Sequence, residues 1–440
     1  MTLPIGPFAV FIAAAAFVAS LVRAHPLLAQ APTQVPTPAA TSEVFRRFAD
    51  RVVKIEVLER GSAAKAELGS GFYANAEGLV VTNFHVISRL VHDPARYRAE
   101  LSDPSGRTAP VTVVAVDVVH DLAVLRTPVR PALFFSLGTT PVAQGSRLYA
   151  LGHPHDLGLS VVEGTYNGLL QHTLYAKIHF TGSLNPGMSG GPALTADGNV
   201  VGVNVSTQGN QVSFLVPAAR VIELLARVAA PAYRPPAQPL ADVGRQLTAY
   251  QREYLAGMFE GTVSTVALGP FRVPTRPAPF FKCWADATEA DRTDPYRTAT
   301  YQCSTDDYVF VSEEMNTGIV ELSHELLTTS ELDRFRFYSL YERHFSPGFA
   351  TGDMPYGDRD EVTPYRCETR NVGTGRTQMR AALCVRRYRK LGELYDAVLT
   401  AAVLGANDAG LVTTLRMSGV TIDNVQRLSR RYLESITWRE

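Results

Sequence analysis

Gly187-Met188-Ser189-Gly190-Gly191-Pro192 is a tight, glycine-rich turn that presents one serine. A hydroxyl is a poor nucleophile near neutral pH, so such a serine needs a base, and the base needs an orienting acid. Glycines on both sides let backbone N–H groups reach a developing oxyanion and leave room for a substrate chain. The turn alone is moderately specific. Its weight comes from what lies upstream.

Leu79-Val80-Val81-Thr82 is an apolar, β-branched run that leads into Asn83-Phe84-His85-Val86. Val113 to Asp117 is a second such run, followed by His120-Asp121-Leu122-Ala123-Val124-Leu125, which puts an aspartate at the mouth of a further apolar strand. A histidine, an aspartate and a serine thus follow in chain order: His85, Asp121, Ser189. Asp117 is a competing carboxylate. Short β-branched runs recur from Val52 to Leu58, Gly78 to Thr82, Val111 to Val116, Leu122 to Arg126, Leu148 to Leu151 and Val200 to Val205, with turn signals at Ser102 to Gly106 and Asp197 to Asn199. Many short strands at such spacing predict a barrel or sandwich.

T-N-x-H-V, D-L-A-V-L and N-P-G-x-S-G-G, in this order, resemble the chymotrypsin-like serine peptidases, and most of all the HtrA/Deg-type bacterial proteases. The chain order is that of chymotrypsin and not of subtilisin or the α/β-hydrolases. The resemblance runs from about Val44 to about Leu225. It implies an all-β double six-stranded barrel, with His85 and Asp121 from the first barrel, Ser189 from the second, and the site in the cleft between them. It favours Asp121 over Asp117, because Asp121 directly precedes Leu122-Ala123-Val124-Leu125 as in the family. It implies that Ser189 attacks the scissile carbonyl, His85 carries the proton and Asp121 fixes the imidazole. Gly187 and Ser189 would supply the oxyanion N–H donors. Ser183, Val203, Asn204 and Val205 would line the specificity pocket or, on the competing reading, simply pack the second barrel. No acid there awaits Arg or Lys, so a small or medium apolar side chain is expected. Substrates would be polypeptides, and no cofactor is needed.

Two departures stand out. Met188 occupies a position that is usually Asn or Asp in relatives, and no Ile-Val-Gly-Gly activation site precedes the barrel. Downstream of Leu240 no glycine-hydrophobic carboxylate-binding loop marks a PDZ domain, which leaves peptide capture by strand addition without support.

Composition bounds the remainder. The 440 residues allow two or three domains. Lys+Arg 42 against Asp+Glu 42 leaves no net charge, so no nucleic-acid partner is indicated. Residues 1–30 contain an apolar, alanine-rich run from Phe8 to Val22, short for a membrane span. It reads as a secretory signal, with an uncleaved membrane anchor as the competing reading. Residues 31–43 read as a Pro-rich tether, 44–228 as the protease domain closed by a helix over Pro217 to Val228, 229–242 as a Pro-rich linker, and 243–440 as a mixed α+β domain of no recognised family. In that domain Tyr301 to Cys303 and Tyr308 to Val311 predict strands. A helix is expected from a Ser330 cap to His344, and helical intervals are read over Leu391 to Leu404 and Ile422 to Ile436.

All four cysteines lie there: Cys283, Cys303, Cys367 and Cys384. The expected pairing is sequence-local, Cys283 with Cys303 and Cys367 with Cys384, since each would clip a hairpin. An even count behind a signal-like segment favours an oxidising compartment, secreted or periplasmic. His153, His155, His172 and His179 invite a zinc reading, but a site needs further ligands in tetrahedral geometry, and no metal is expected. The leading expectation is an exported serine endopeptidase. The rival is a catalytically weak protease scaffold that binds partners through its C-terminal domain.

Overall fold

The computed structural model describes residues 40–138, 140–287, 295–305, 307–345, 360–374, 377–405 and 407–439. The proposed signal or anchor, and all but the end of the proposed tether, lie outside the described residues. Helix α1 (Ala40–Phe48) leads into six antiparallel strands. These are β1 (Val52–Glu59), β2 (Lys65–Tyr73), β3 (Leu79–Thr82), β4 (Tyr97–Ser102), β5 (Thr108–Asp117) and β6 (Leu122–Arg126), with helix α2 (Phe84–His92) between β3 and β4. They close in the order β1-β2-β3-β6-β5-β4. A second barrel closes as β10-β11-β12-β9-β8-β7, from β7 (Arg147–Gly152), β8 (Ser160–Leu169), β9 (Ile178–Phe180), β10 (Pro192–Leu194), β11 (Val200–Thr207) and β12 (Ser213–Pro217). The strands bury the apolar residues the pattern pointed to, among them Val53, Ile55, Val80 and Val124 of the first barrel and Leu148, Leu151, Val203 and Leu215 of the second. Closure leaves neither barrel an unpaired edge. Helix α3 (Ala218–Ala229) ends this half, with Val221 and Leu224 buried.

The C-terminal region is mixed, as expected. Helix α4 (Pro239–Phe259) is followed by β13 (Thr265–Leu268), β14 (Phe271–Pro274), β15 (Lys282–Ala287), β16 (Arg297–Ser304), the short hairpin β17 (Val309–Ser312) and β18 (Met315–Thr317), and β19 (Val320–Thr328). Helix α5 (Arg334–His344), β20 (Arg366–Thr374), β21 (Thr377–Arg387), β22 (Tyr395–Val403), β23 (Ala409–Val420), α6 (Ile422–Glu434) and β24 (Thr437–Trp438) complete it. Seven of these strands form one antiparallel sheet, β15-β16-β19-β23-β22-β21-β20. The disulfides Cys283–Cys303 and Cys367–Cys384 join directly opposed residues and staple the two outermost strands to their inner neighbours. An edge strand has a single pairing partner, so a covalent tie matters most there.

Four expectations change. The Pro-rich linker ends early, because Pro239 opens α4. Proline is preorganised for the first helical turn, where its missing N–H costs nothing. Nor does α4 merely lead into a separate body. Its Gln246 side chain donates to the Val116 carbonyl (2.9 Å) and accepts from the Val118 N–H (3.1 Å) in the first barrel. Tyr250 donates to the Leu174 carbonyl (2.6 Å), and Gln251 accepts from Asn424 of α6 (2.8 Å). One continuous apolar core runs from Val53 and Ile55 through Val243 and Leu247 to Leu415 and Val425. The run read as helical from Leu391 is strand β22, buried almost throughout; a strand buried on both faces shows no alternation and cannot be told from a buried helix by period. The cap of α5 is Asp333, whose carboxylate accepts from the Phe335 and Arg336 N–H groups, and not Ser330.

The C-terminal core also holds a titratable group. His324 is fully buried between Tyr301 and Tyr432; its Nε2 donates to the Pro274 carbonyl (3.0 Å) and its Nδ1 accepts from Thr413 (2.8 Å). Burial pushes its pKa down to about 3, against the pull of the Pro274 contact. The unfolded ring titrates near 6.5, so the neutral buried form stabilises the fold above that pH. This stability is lost as pH falls from about 6.5 toward 3. Thermal melts across that range should show a declining melting temperature, and His324→Gln should flatten the upper part of the decline.

Candidate active site

Strand β3 delivers the chain to Asn83, an extended residue after which α2 begins, so His85 lies in the first turn of a helix. Asp121 meets it from the turn before β6, with a left-handed φ of 53°, a conformation an aspartate tolerates better than most side chains. The two are locked at several points. The Asp121 carboxylate accepts from the His85 backbone N–H (2.8 Å) and from ring Nδ1 (2.6 Å), and the Asp121 carbonyl accepts from Asn83 Nδ2 (2.7 Å) and the Phe84 N–H (3.2 Å). A carboxylate can only accept, so Nδ1 carries the ring proton and Nε2 is left as the acceptor. The competing Asp117 is engaged elsewhere, with His120 Nδ1 (2.8 Å). Packing around the His85 ring disfavours its charged form, but the charge and hydrogen bond of Asp121, with the field of Glu67, outweigh this and raise its pKa.

The serine turn is held from both barrels. Gly187 and Gly190 have φ of 94° and 85°, and a side chain at Gly190 would collide with the Ser70 carbonyl. From the first barrel, Ser70 donates its N–H to the Ser189 carbonyl (2.8 Å) and its hydroxyl to the Gly187 carbonyl (2.7 Å), and its Oγ accepts from the His153 N–H (2.9 Å). From the second, Asn204 donates Nδ2 to the Met188 carbonyl (3.2 Å) and the Leu151 carbonyl (3.0 Å), and its backbone pairs with Gly190 and Gly191 (2.9 Å each). The Met188, Gly190 and Gly191 N–H groups are therefore used inside this scaffold. Among the described residues, those of Gly187 and Ser189 have no partner, which leaves two donors for an incoming oxyanion. Met188 is fully buried among Leu148, Ala150, Phe180 and Leu215. This side chain fills the second barrel's core.

The Ser189 hydroxyl donates to the Val205 carbonyl (3.3 Å), and among the described residues it has no hydrogen bond with His85. Val205, His85 and Asp121 line one cleft of about 510 Å³. Its other walls come from the second barrel, including Tyr175, Lys177, His179 and Phe214, and from the C-terminal region through Lys282, Asp307, Tyr308 and Phe310.

Residues 69–203 match the trypsin-like peptidase domain family. This segment is a trypsin-like peptidase domain. The chain is 35% identical over 200 residues to the mitochondrial serine protease HTRA2 of Bos taurus, covering 42% of each. It is 32% identical over 183 residues to a probable periplasmic serine endoprotease, DegP-like, of Chlamydia pneumoniae, covering 38% of this chain and 36% of that protein. It thus spans less than half the length of these curated relatives. A crystal structure of the serine endoprotease from Yersinia pestis matches 44% of this chain and 67% of its own, at 25% identity and a TM-score of 0.38.

The structure separates the four residues of the expected specificity pocket. Ser183 is exposed and is not among the cleft residues. Val203 is fully buried in the core, and Asn204 is a clamp on the serine turn. Val205 alone of the four lines the cleft. A bulge between Asn204 and Ser206 interrupts the pairing of β11 with β12 at Val205. The histidines of the zinc reading disperse. His153 is buried beside Ser70 with its pKa pushed down by burial to about 4, His155 is exposed, His172 bonds the Pro279 carbonyl, and His179 lines the cleft.

Sequence reading missed the role of Ser70, although a serine set between Gly69 and Gly71 was a usable signal. It had no signal for the C-terminal wall. Replacing Ser70 strands the buried Gly187 carbonyl and His153 N–H. Ser70→Ala should therefore lower the unfolding free energy by about 1–3 kcal/mol in denaturant titrations and slow any chemistry at Ser189.

Proposed function

We propose that the protein is an exported serine endopeptidase that works through His85, Asp121 and Ser189. The observation that carries this reading is the double engagement of Asp121. One carboxylate fixes both the backbone and Nδ1 of His85, which leaves ring Nε2 as a base toward the cleft. The Ser189 hydroxyl leaves Val205 for Nε2 and attacks the scissile carbonyl as its proton passes to His85. The oxyanion is received by the Gly187 and Ser189 N–H groups. His85 then protonates the leaving amine, and water repeats the sequence on the acyl-enzyme. The steps need no cofactor. Losing one oxyanion donor costs about 3 kcal/mol of transition-state stabilisation, and Gly187→Pro removes one outright.

Polypeptide substrates are supported by the relatives, which are named as proteases, one of them periplasmic and one mitochondrial. Two disulfides fit an oxidising compartment outside the cytosol. Both cleft carboxylates are paired, Asp121 with His85 and Asp307 with Lys177. A substrate Arg or Lys therefore meets no unpaired carboxylate among the described cleft residues, and uncharged side chains are the better fit beside Val205, Tyr175 and Phe214.

Two measurements test the reading. A tagged fluorophosphonate should label Ser189 in the folded full-length chain, and Ser189→Ala should abolish both labelling and peptide cleavage. Absence of wild-type labelling would refute it and favour the binding scaffold. The base must be neutral to accept a proton, and its pKa is raised. The rising limb of kcat/KM against pH should therefore lie above the ordinary histidine value of about 6.5. Asp121→Asn should lower kcat by roughly 10⁴-fold.

A further inference from the structure

The segment from Asp307 to Glu313 lines the cleft through Asp307, Tyr308 and Phe310 and is tied to both barrels. On one side Asp307 pairs with Lys177 of the second barrel at 2.6 Å, both side chains being nearly buried (11% and 13% exposed). On the other, the last turn of α2 holds the hairpin. His92 Nε2 donates to the Val311 carbonyl (3.0 Å), and Arg89 bonds Glu313 and also Glu67 of β2 (3.3 Å). Ser312 is in turn bonded to Glu361 (3.0 Å). Midway along the segment stands Phe310. Its ring meets the His85 ring edge-on, with centroids 5.9 Å apart and planes at 73°, and meets Phe84 in the same manner at 6.4 Å.

We propose that Phe310 is a positioning residue for His85, and that the C-terminal region serves the peptidase domain as a wall of its catalytic cleft. This rests on the reading of His85 as the base. Asp121 fixes the imidazole at Nδ1 and at the backbone, but a hydrogen bond at one ring edge still leaves the ring free to tilt. An aromatic ring packed against it, itself backed by Phe84 and anchored at both ends, removes that freedom. The geometry of the base is then set by three parts of the chain: α2, the turn before β6, and a hairpin of the C-terminal region. Displacements on the scale of an ångström at a reacting group cost up to roughly 10²-fold in rate, so a non-polar contact that touches no substrate can still govern turnover.

The test uses the full-length chain with Phe310→Ala and Phe310→Tyr, and reads kcat, KM and the titration of His85. Among the described residues, Asp121 and Glu67 are the charged groups that act most on His85, and Tyr175, Lys177, His179, Lys282, Asp307 and Tyr308 line the same cleft. Glu67 is held above the usual carboxylate range by burial and by Glu313, with Arg89 opposing. The hairpin adds the Asp307–Lys177 pair. Because Glu67 titrates in the same region, the His85 titration is followed directly, by NMR of ¹³Cε1-labelled histidine in a Ser189→Ala background, with His85→Gln assigning the resonance. Removing the Phe310 ring admits water and favours the charged imidazole. The expected result for Phe310→Ala is a fall of roughly ten- to a hundred-fold in kcat with little change in KM, together with an upward shift of the His85 midpoint. Phe310→Tyr should restore both, and circular dichroism melts confirm that each variant is folded. Unchanged kcat and an unchanged midpoint would overturn the proposal. So would a raised kcat, which would make the hairpin a cover over the site. Should wild type prove inert to fluorophosphonate, the protease reading fails separately, while the NMR titration still decides whether Phe310 sets the state of His85.

Discussion

The grip of Asp121 on the first turn of α2 is the constraint around which the site is arranged. A helix begins with N–H groups that have no partner within it, and a carboxylate placed there is stabilised by both hydrogen bonding and the helix dipole. Asp121 answers the His85 N–H and, with its other oxygen, the His85 ring. Its carbonyl answers Asn83 and Phe84. One residue in a left-handed turn therefore joins the end of β3, the start of α2 and the entry to β6. The same contact that terminates a strand and starts a helix selects the imidazole tautomer.

The serine turn obeys a complementary logic. Its glycines give the backbone conformations and close approaches that other residues would block, but glycine brings no rigidity of its own. Rigidity is supplied from outside, by Ser70 on the first barrel and Asn204 on the second, each buried and each donating a side-chain hydrogen bond to a carbonyl of the turn. The bonds made also determine which N–H groups are left over. In this way the packing of two barrels against each other becomes a statement about where negative charge can be accepted. Met188 fits the same scheme, since its side chain belongs to the core and only its backbone takes part in the turn.

The C-terminal region changes how the peptidase domain is to be understood. Its core is continuous with that of the first barrel, and α4 exchanges hydrogen bonds with both barrels and with α6. Disulfides staple the two edges of its large sheet, which frees the central strands to carry the apolar contacts. A sheet so fixed can present a short hairpin at a defined position. That hairpin stands beside His85.

The sequence by itself determined what local pattern and chemical order can determine. Short β-branched runs between turns specified the many short strands of a barrel or sandwich, because a strand's alternation is written in neighbouring residues, and the resemblance to the chymotrypsin-like peptidases narrowed this to a double barrel. Three ordered motifs singled out His85, Asp121 and Ser189, of which the first two stand in contact. What failed was whatever depended on non-local partners. β22 read as helical because burial on both faces erases the period. The choice of Asp121 over Asp117 found its physical reason only in which histidine each carboxylate meets. The wall made by Phe310, Asp307 and Tyr308 had no trace in the chain at all, since a contact between segments so far apart leaves no periodicity, spacing or composition for one-dimensional reading. Tertiary packing alone decided it.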